Sequence, residues 1–538
     1  MREASNKPMM KLEKVIGLTT LSNASIVSRA SDVYYTAGSI IVRYSPSENI
    51  QKSFYKASKA VSCVAASADG RYLAGGERGH SPNIIVWEVS TGEVIATING
   101  THKHGIGCLS FSPDARYLVS AGFKHDRQLI VWDWESLRIV SAQKLGNKVN
   151  SLCFHPSGKY FVTCGDRHLK WWYLGYSKKD KEGSIEVIGK PASILESHKN
   201  AVFMDIKIGH TDFVYCTTST GLLCSFNETR FMDMWVQLES SVSYSLSLHT
   251  IQSSDISENI DVVIVGCTEG LVRVFSAKAL QYLATLPLPV PSVGYTDGYP
   301  ACLAICTVDG STSKSTKESK STKLAAIYSD HSIFIWDISD INNATQYRSF
   351  AYHRACIWDV QFITSTSRHG SLFPPGTFVT CSADNSIRIW SGEQKIAKRT
   401  GSVRTSSSSS SKPQYGDMLH MIEVSPKSTA REMIVDNNVN GGQNINNPNN
   451  SFSVSSSMAT TVLDTTTDAT SSFNNPSCGI PDLELPDRLQ VPMAPRALAV
   501  HPSGGWFFEF FVFLFFCFFV FLFFCFLVFL FFLSGRFV

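Results

Sequence analysis

A chain of 538 residues with 44% hydrophobic residues can bury a large core, and its formal net charge of +3 is close to neutral. That balance removes any global electrostatic case for nucleic acid binding. The fourteen cysteines are scattered, with no C-x-x-C pair and no Cys/His cluster at zinc spacing, so no metal site is expected.

Met1 to Lys14 lacks an apolar stretch long enough for a signal peptide and reads as an N-terminal arm. From residue 15 onward one phrase recurs: a turn residue, then six positions later an aromatic that closes a β-branched strand. Asp126 precedes Trp132 in this way, Asp166 precedes Trp172, Asp330 precedes Trp336 and Asp384 precedes Trp390. Degenerate copies run from Gly38 to Tyr44, Ser81 to Trp87 and Thr220 to Phe226, with Glu269 to Phe275 intermediate. The closing aromatics therefore fall at positions 44, 87, 132, 172, 226, 275, 336 and 390. Each unit also has an earlier part, an alternating strand and a polar turn, as in Ile106-Gly-Cys-Leu-Ser-Phe-Ser-Pro-Asp114 and Leu152-Cys-Phe-His-Pro-Ser-Gly158.

Spacings near 40–45 residues with four short strands per unit are the signature of propeller blades. The fold expected is all-β: a propeller of seven to eight blades of four antiparallel strands over residues 15–395. Cys63, Cys108, Cys164, Cys216 and Cys381 lie in apolar, strand-like contexts and read as reduced core thiols. Stretches at 175–190, 309–322 and 364–376 lengthen three intervals and read as surface loops.

The fullest copy is His353 followed by Phe378-Val-Thr-Cys-Ser-Ala-Asp384-Asn-Ser-Ile-Arg-Ile-Trp390. Trp390 shares a strand face with Ser386 and Arg388, which suits a buried ring whose indole N–H has a partner. A His/Asp pair invites a catalytic reading, but a pair repeated from unit to unit is structural rather than an active site.

These units resemble the WD-repeat family, with Trp132-Asp133 and Trp336-Asp337 as its namesake dipeptide. The resemblance implies a buried hydrogen-bonded clasp in each blade, built here from His353, Thr380 (or Ser382), Asp384 and Trp390. By the same carry-over Asp126, Trp132, Asp166, Trp172, Asp330 and Trp336 serve the clasps of other units. Three longer stretches, Gly76-Glu-Arg-Gly-His80, Val119 to Trp134 and Val162 to Leu174, look like the family of mitogen-activated protein kinase-binding protein 1 and WD repeat-containing protein 62. The resemblance implies a scaffold in c-Jun N-terminal kinase signalling or at spindle poles, cytoplasmic or centrosomal, with signalling kinases or centrosomal proteins as partners. It also implies two tandem propellers and a long C-terminal region, which this chain lacks.

Residues 396–481 are rich in Ser, Asn and Thr, cannot offset their ordering entropy and are expected to be disordered. Ser425-Pro426 within them is a candidate proline-directed phosphorylation site. Residues 482–505 resume the repeat at Ala497-Leu-Ala-Val-His-Pro-Ser-Gly504 and leave it unfinished. The tail at 506–538 is almost wholly Phe, Leu, Val and Cys. Its length would span a bilayer as a transmembrane segment, while its composition is that of thymine-rich untranslated DNA and reads as a gene-model artefact.

No P-loop, G-x-S-x-G, kinase signature or metal spacing is present, so no catalytic residue, cofactor or metal is assigned and no small-molecule substrate is expected. The expected function is a non-catalytic protein-interaction scaffold. The alternatives are a membrane-tethered propeller receptor, if the 507–533 tail is a genuine span, and an enzyme using the propeller's central channel.

Overall fold

Period-2 alternation and β-branched residues dictate strands, and the computed structural model is built from strands and two 3-10 turns, Asn23–Ser25 and Glu196–His198, among the described residues. These are residues 12–176, 185–209, 212–238, 242–252, 259–290, 298–308, 322–363, 376–391, 418–423, 499–500 and 506–507. Eight sheets of four antiparallel strands follow one another, each ordered as its strands occur in the chain. They span 26–56, 61–98, 106–144, 149–191, 203–237, 243–285, 302–351 and 357–423 and are called sheets 1 to 8.

The ring closes after seven. Hydrophobic residues collect into seven clusters, and each cluster spans the seam between two neighbouring sheets. The last seam joins sheet 7 to sheet 1: Tyr35, Val42 and Tyr44 meet Ile333, Ile335 and Phe350. Tyr44 packs edge-on to Phe350 at 5.5 Å between ring centroids. Arg348 Nε donates to the Pro46 carbonyl at 2.9 Å, and Ser28 Oγ donates to the Thr307 carbonyl between the inner strands. Each of sheets 1 to 7 is built from one contiguous stretch of chain, so closure rests on side chains and not on a strand shared between the ends.

Sheet 8 stands outside this ring. Trp390 stacks on Tyr352 (6.5 Å, 19°) and reaches the seam of sheets 7 and 1. Its inner strand, Ile357–Phe362, carries Ile357, Trp358, Val360 and Phe362 at 44–67% exposure. The matching strand of sheet 3, Ile106–Phe111, has Ile106, Cys108, Leu109 and Phe111 buried between its neighbours.

The turn Asn23–Ser25 lies across the end of the central channel at which the inner strands begin. It directly precedes the inner strand of sheet 1, packs on the inner strands of sheets 2, 3 and 7, and Asn23 Nδ2 donates to the Met204 carbonyl of sheet 5 at 3.3 Å. Cys63, Cys108, Cys164, Cys216 and Cys381 are all buried and unpaired, and burial pushes the Cys63 thiol up to about 12.

Two fourth strands come from unexpected stretches. Ile185–Pro191 completes sheet 4 from the segment read as an insertion, and Met418–Glu423 completes sheet 8 from inside the segment read as disordered. In both, an open row of backbone donors and acceptors on the third strand pairs with a short apolar run. Residues 177–184, 309–321, 364–375 and 424–498, with Ser425, lie outside the described residues, as does the apolar tail beyond 507. No helix among the described residues is long and apolar enough to cross a membrane.

A local rule links the sheets. In seven of the eight, the ladder between third and fourth strands shifts register just before the closing aromatic. Such a bulge makes room for a bulky ring. Sheet 4 has no shift there; its room comes from Gly189, where a Cβ would stand 2.6 Å from the Trp172 ring. Gly189→Val should therefore overpack sheet 4 and lower stability by about 1–3 kcal/mol, read by urea unfolding. An unchanged midpoint would remove the rule.

Candidate functional site

The residues that sequence chemistry singles out are the clasps, and in sheet 8 all four come together. The Trp390 Nε1–H donates to Thr380 Oγ1 at 2.8 Å, and Thr380 Oγ1 lies 2.7 Å from His353 Nε2. His353 Nδ1 is 3.0 Å from Asp384 Oδ2. One proton order satisfies the chain: indole to hydroxyl, hydroxyl to imidazole, imidazole Nδ1–H to carboxylate. Asp384 also accepts the Arg354 amide and the Ser386 amide and hydroxyl, the Ser386 bonds forming an Asx turn. Ser382 bonds the Ala355 carbonyl instead of joining the clasp. Burial works to raise the Asp384 pKa, but His353, Ser386 and the Arg354 amide hold it well below the ordinary carboxylate range. Burial lowers that of His353 despite the carboxylate.

Other sheets rearrange the same parts. In sheet 3 Trp132 Nε1–H donates to Ser120 Oγ at 2.9 Å, and Ser120 meets His102 Nε2 at 2.9 Å. Asp126 leaves the imidazole alone and accepts the amides of Lys103, His104 and Gly105. In sheet 4 Trp172 donates to Thr163 at 2.8 Å, and the imidazole is His168, two residues past Asp166. The Asp166 backbone bridges to Val202, and its carboxylate takes no part in that clasp. In sheet 7 Trp336 donates to the Tyr328 hydroxyl at 3.3 Å, while Asp330 holds the amide and hydroxyl of Ser332.

Sequence spacing misses His102, Ser120, Thr163 and His168, although register would locate the hydroxyl. It sits two residues beyond the cross-strand partner of the closing aromatic: Leu118 and then Ser120, Phe161 and then Thr163, Phe378 and then Thr380. Glu77 was also unsignalled. Its fully buried carboxylate accepts the amides of Ser58, Lys59 and Asn83 and the Ser58 hydroxyl. Burial acts to raise its pKa, and these donors hold it below the usual range. No group of three or more His, Cys, Asp or Glu side chains among the described residues could hold a metal.

A clasp of this kind, repeated along the ring, is a fastener. The family model for the WD domain, G-beta repeat, matches residues 49–88, 92–133, 134–173 and 344–391. The mouse protein mitogen-activated protein kinase-binding protein 1 is 36% identical over 405 residues, covering 71% of this chain and 26% of that protein. WD repeat-containing protein 62 is 36% identical over 403 residues in pig, covering 71% of this chain and 25% of that protein, and 37% over 391 residues in mouse. This chain is a WD-repeat protein of their family. It spans about a quarter of the length of these curated relatives.

The clasps of this WD-repeat protein yield two expectations. Thr163→Val leaves the Trp172 N–H and the His168 Nε2 unpaired, so it should cost about 1–3 kcal/mol per orphaned group, whereas Thr163→Ser should recover most of that in urea unfolding. Equal losses for both variants would show that the hydroxyl is idle. The second concerns pH. Burial holds His102 and His168 down to about 4, against an ordinary value near 6.5. On acidification the unfolded chain takes up protons first, so stability is greatest above about pH 6.5 and falls as pH drops towards about 4. Unfolding free energies measured across that window should slope downward with acid, and His168→Gln should make the slope shallower. The same slope in both proteins would be the contrary result.

Proposed function

We propose that the chain is a non-catalytic scaffold that holds protein partners on its exposed loops, with a protein kinase of a mitogen-activated cascade among them. One observation carries this reading. The clasp groups His102 and Ser120, Thr163 and His168, Asp330 and Ser332, and His353 and Asp384 are bonded to one another within sheets 3, 4, 7 and 8, leaving the variable loops as the available surface. The names of the relatives support the kinase assignment, since one of them is described as kinase-binding. A cytoplasmic site of action that includes the spindle pole is part of the same proposal and rests on the family resemblance of the repeats. The channel-enzyme alternative has less in its favour because the Asn23–Ser25 turn lies across one end of the channel.

Cross-linking and affinity capture from dividing cells, with the whole chain as bait, tests the proposal. Recovery of a mitogen-activated protein kinase that is lost when the exposed loops are substituted is the expected outcome. Recovery of no kinase, together with turnover in a screen of phosphoesters and peptides, would sink it.

A further inference from the structure

On the channel end where inner strands begin, four loops fuse into one surface over sheets 2 and 3. The Arg78 backbone bridges to Gly105. Gly79 N donates to the His104 carbonyl at 3.0 Å, and Ser81 N donates to the Lys103 carbonyl at 3.0 Å. Lys59 Nζ donates to the carbonyls of His80 and Ser81 at 2.5 and 2.7 Å. The His104 and His125 rings meet at 5.8 Å, which ties in the loop of sheet 3. Arg78, Lys103, Lys124 and Arg127 are all exposed on this surface, as are His80, His104 and His125.

The two carboxylates of these loops are engaged with backbone amides, Glu77 fully buried and Asp126 half-buried. Glu77 holds the amides of Ser58, Lys59 and Asn83, and Asp126 holds those of Lys103, His104 and Gly105. Each acid therefore fixes the backbone that carries the cations without neutralising them across the surface. Among the described residues, Arg78, Lys103, Lys124 and Arg127 have no carboxylate within ion-pair distance. On the same end of the ring the acids Asp166, Glu196 and Glu269 interrupt the loops of sheets 4, 5 and 6, so the positive field is confined to one sector.

We propose that this sector, with Arg78, Lys103, Lys124 and Arg127 as its cations, docks an acidic linear peptide of a protein partner. Membrane surfaces are bound by cations interleaved with apolar anchors, and single-stranded nucleic acid by cations interleaved with exposed aromatics. These loops carry neither: the exposed large hydrophobics lie elsewhere, and the Phe123 ring packs against Gly105, 2.5 Å from where a Cβ would stand. What is left is a fixed array of cations, which suits a flexible chain of carboxylates and loses little on ordering its own side of the contact.

The inference rests on the scaffold reading and gives one of its surfaces a partner class. Its test uses purified whole chain and needs no cellular partner, so the two can fail separately. The probe is a fluorescein-labelled peptide of glutamate, aspartate and glycine, followed by fluorescence anisotropy. The wild type should bind it in a salt-sensitive manner. The triple variant Arg78→Glu/Lys103→Glu/Arg127→Glu should weaken binding at least about tenfold, and the milder Arg78→Ala/Arg127→Ala by about threefold. Lys159→Glu/Lys278→Glu, at exposed lysines elsewhere, should leave it unchanged. Thermal melts of all variants separate lost binding from lost folding. Equal affinity in wild type and Arg78→Ala/Arg127→Ala would overturn the proposal, and so would tighter binding of phosphatidylserine vesicles or single-stranded DNA at the same residues.

Discussion

An indole is large enough to fill the seam between two sheets, and its one polar atom then calls for an acceptor. The strands that Trp132, Trp172, Trp336 and Trp390 close are arranged around that need, whereas Trp87 of sheet 2 packs against Gly75 at the corresponding place. Where the closing residue is Trp132, Trp172 or Trp390, a serine or threonine stands two places beyond the cross-strand partner and accepts the N–H. A phenylalanine makes no such demand. Sheets 5 and 6 close with Phe226 and Phe275, and the corresponding positions are Cys216 and Val265. Sheet 7 keeps Trp336 with Ala326 at that place, and the Tyr328 hydroxyl supplies the acceptor from further along the strand. The size of each ring is met in the neighbouring ladder, by a bulge or by Gly189.

Because each closing ring faces the preceding sheet, the seams themselves count the members of the ring. Tyr44 of sheet 1 reaches back to sheet 7, and Trp390 of sheet 8 reaches the same cluster. Sheets 1 and 8 thus address one face, and of the two it is sheet 1 that places its inner strand beside that of sheet 7. Sheet 8 has a full set of backbone ladders and the fullest clasp of all, yet its inner strand lacks the flanking neighbour that buries its counterparts. The clasp therefore specifies a blade and is silent on which ring the blade joins.

That division explains how much was legible beforehand. The six-residue spacing from turn to aromatic depends on one hairpin, a local feature, so the eight units could be read from sequence, whereas the grouping of His353 with Thr380, Asp384 and Trp390 came from the family resemblance and spans 31 residues. Asp166 and His168 show where such reading fails. Both lie in the hairpin of sheet 4, and only the three-dimensional placement of the ring decides that the histidine reaches Thr163. Glu77 was illegible for the same reason, since its donors Ser58 and Lys59 belong to the loop before the sheet. Ring closure was further still from view: Arg348 and Pro46 are 302 residues apart, and no local pattern encodes their contact. The fourth strands at 185–191 and 418–423 were lost among polar neighbours because a short edge strand needs few apolar residues.

The same economy of carboxylates that fastens the blades shapes the surface between them. A turn aspartate or glutamate that accepts several amides is stabilised as an anion and holds a loop in one shape. Its charge is spread over donors beneath the surface, while lysines and arginines of the same loop project outward. Where sheets 4, 5 and 6 add exposed acids, the outward charge is mixed. Over sheets 2 and 3 no further acid intervenes, and fixing the backbone leaves a rigid display of one sign. An interaction made for blade stability thus also decides where the propeller can discriminate between partners.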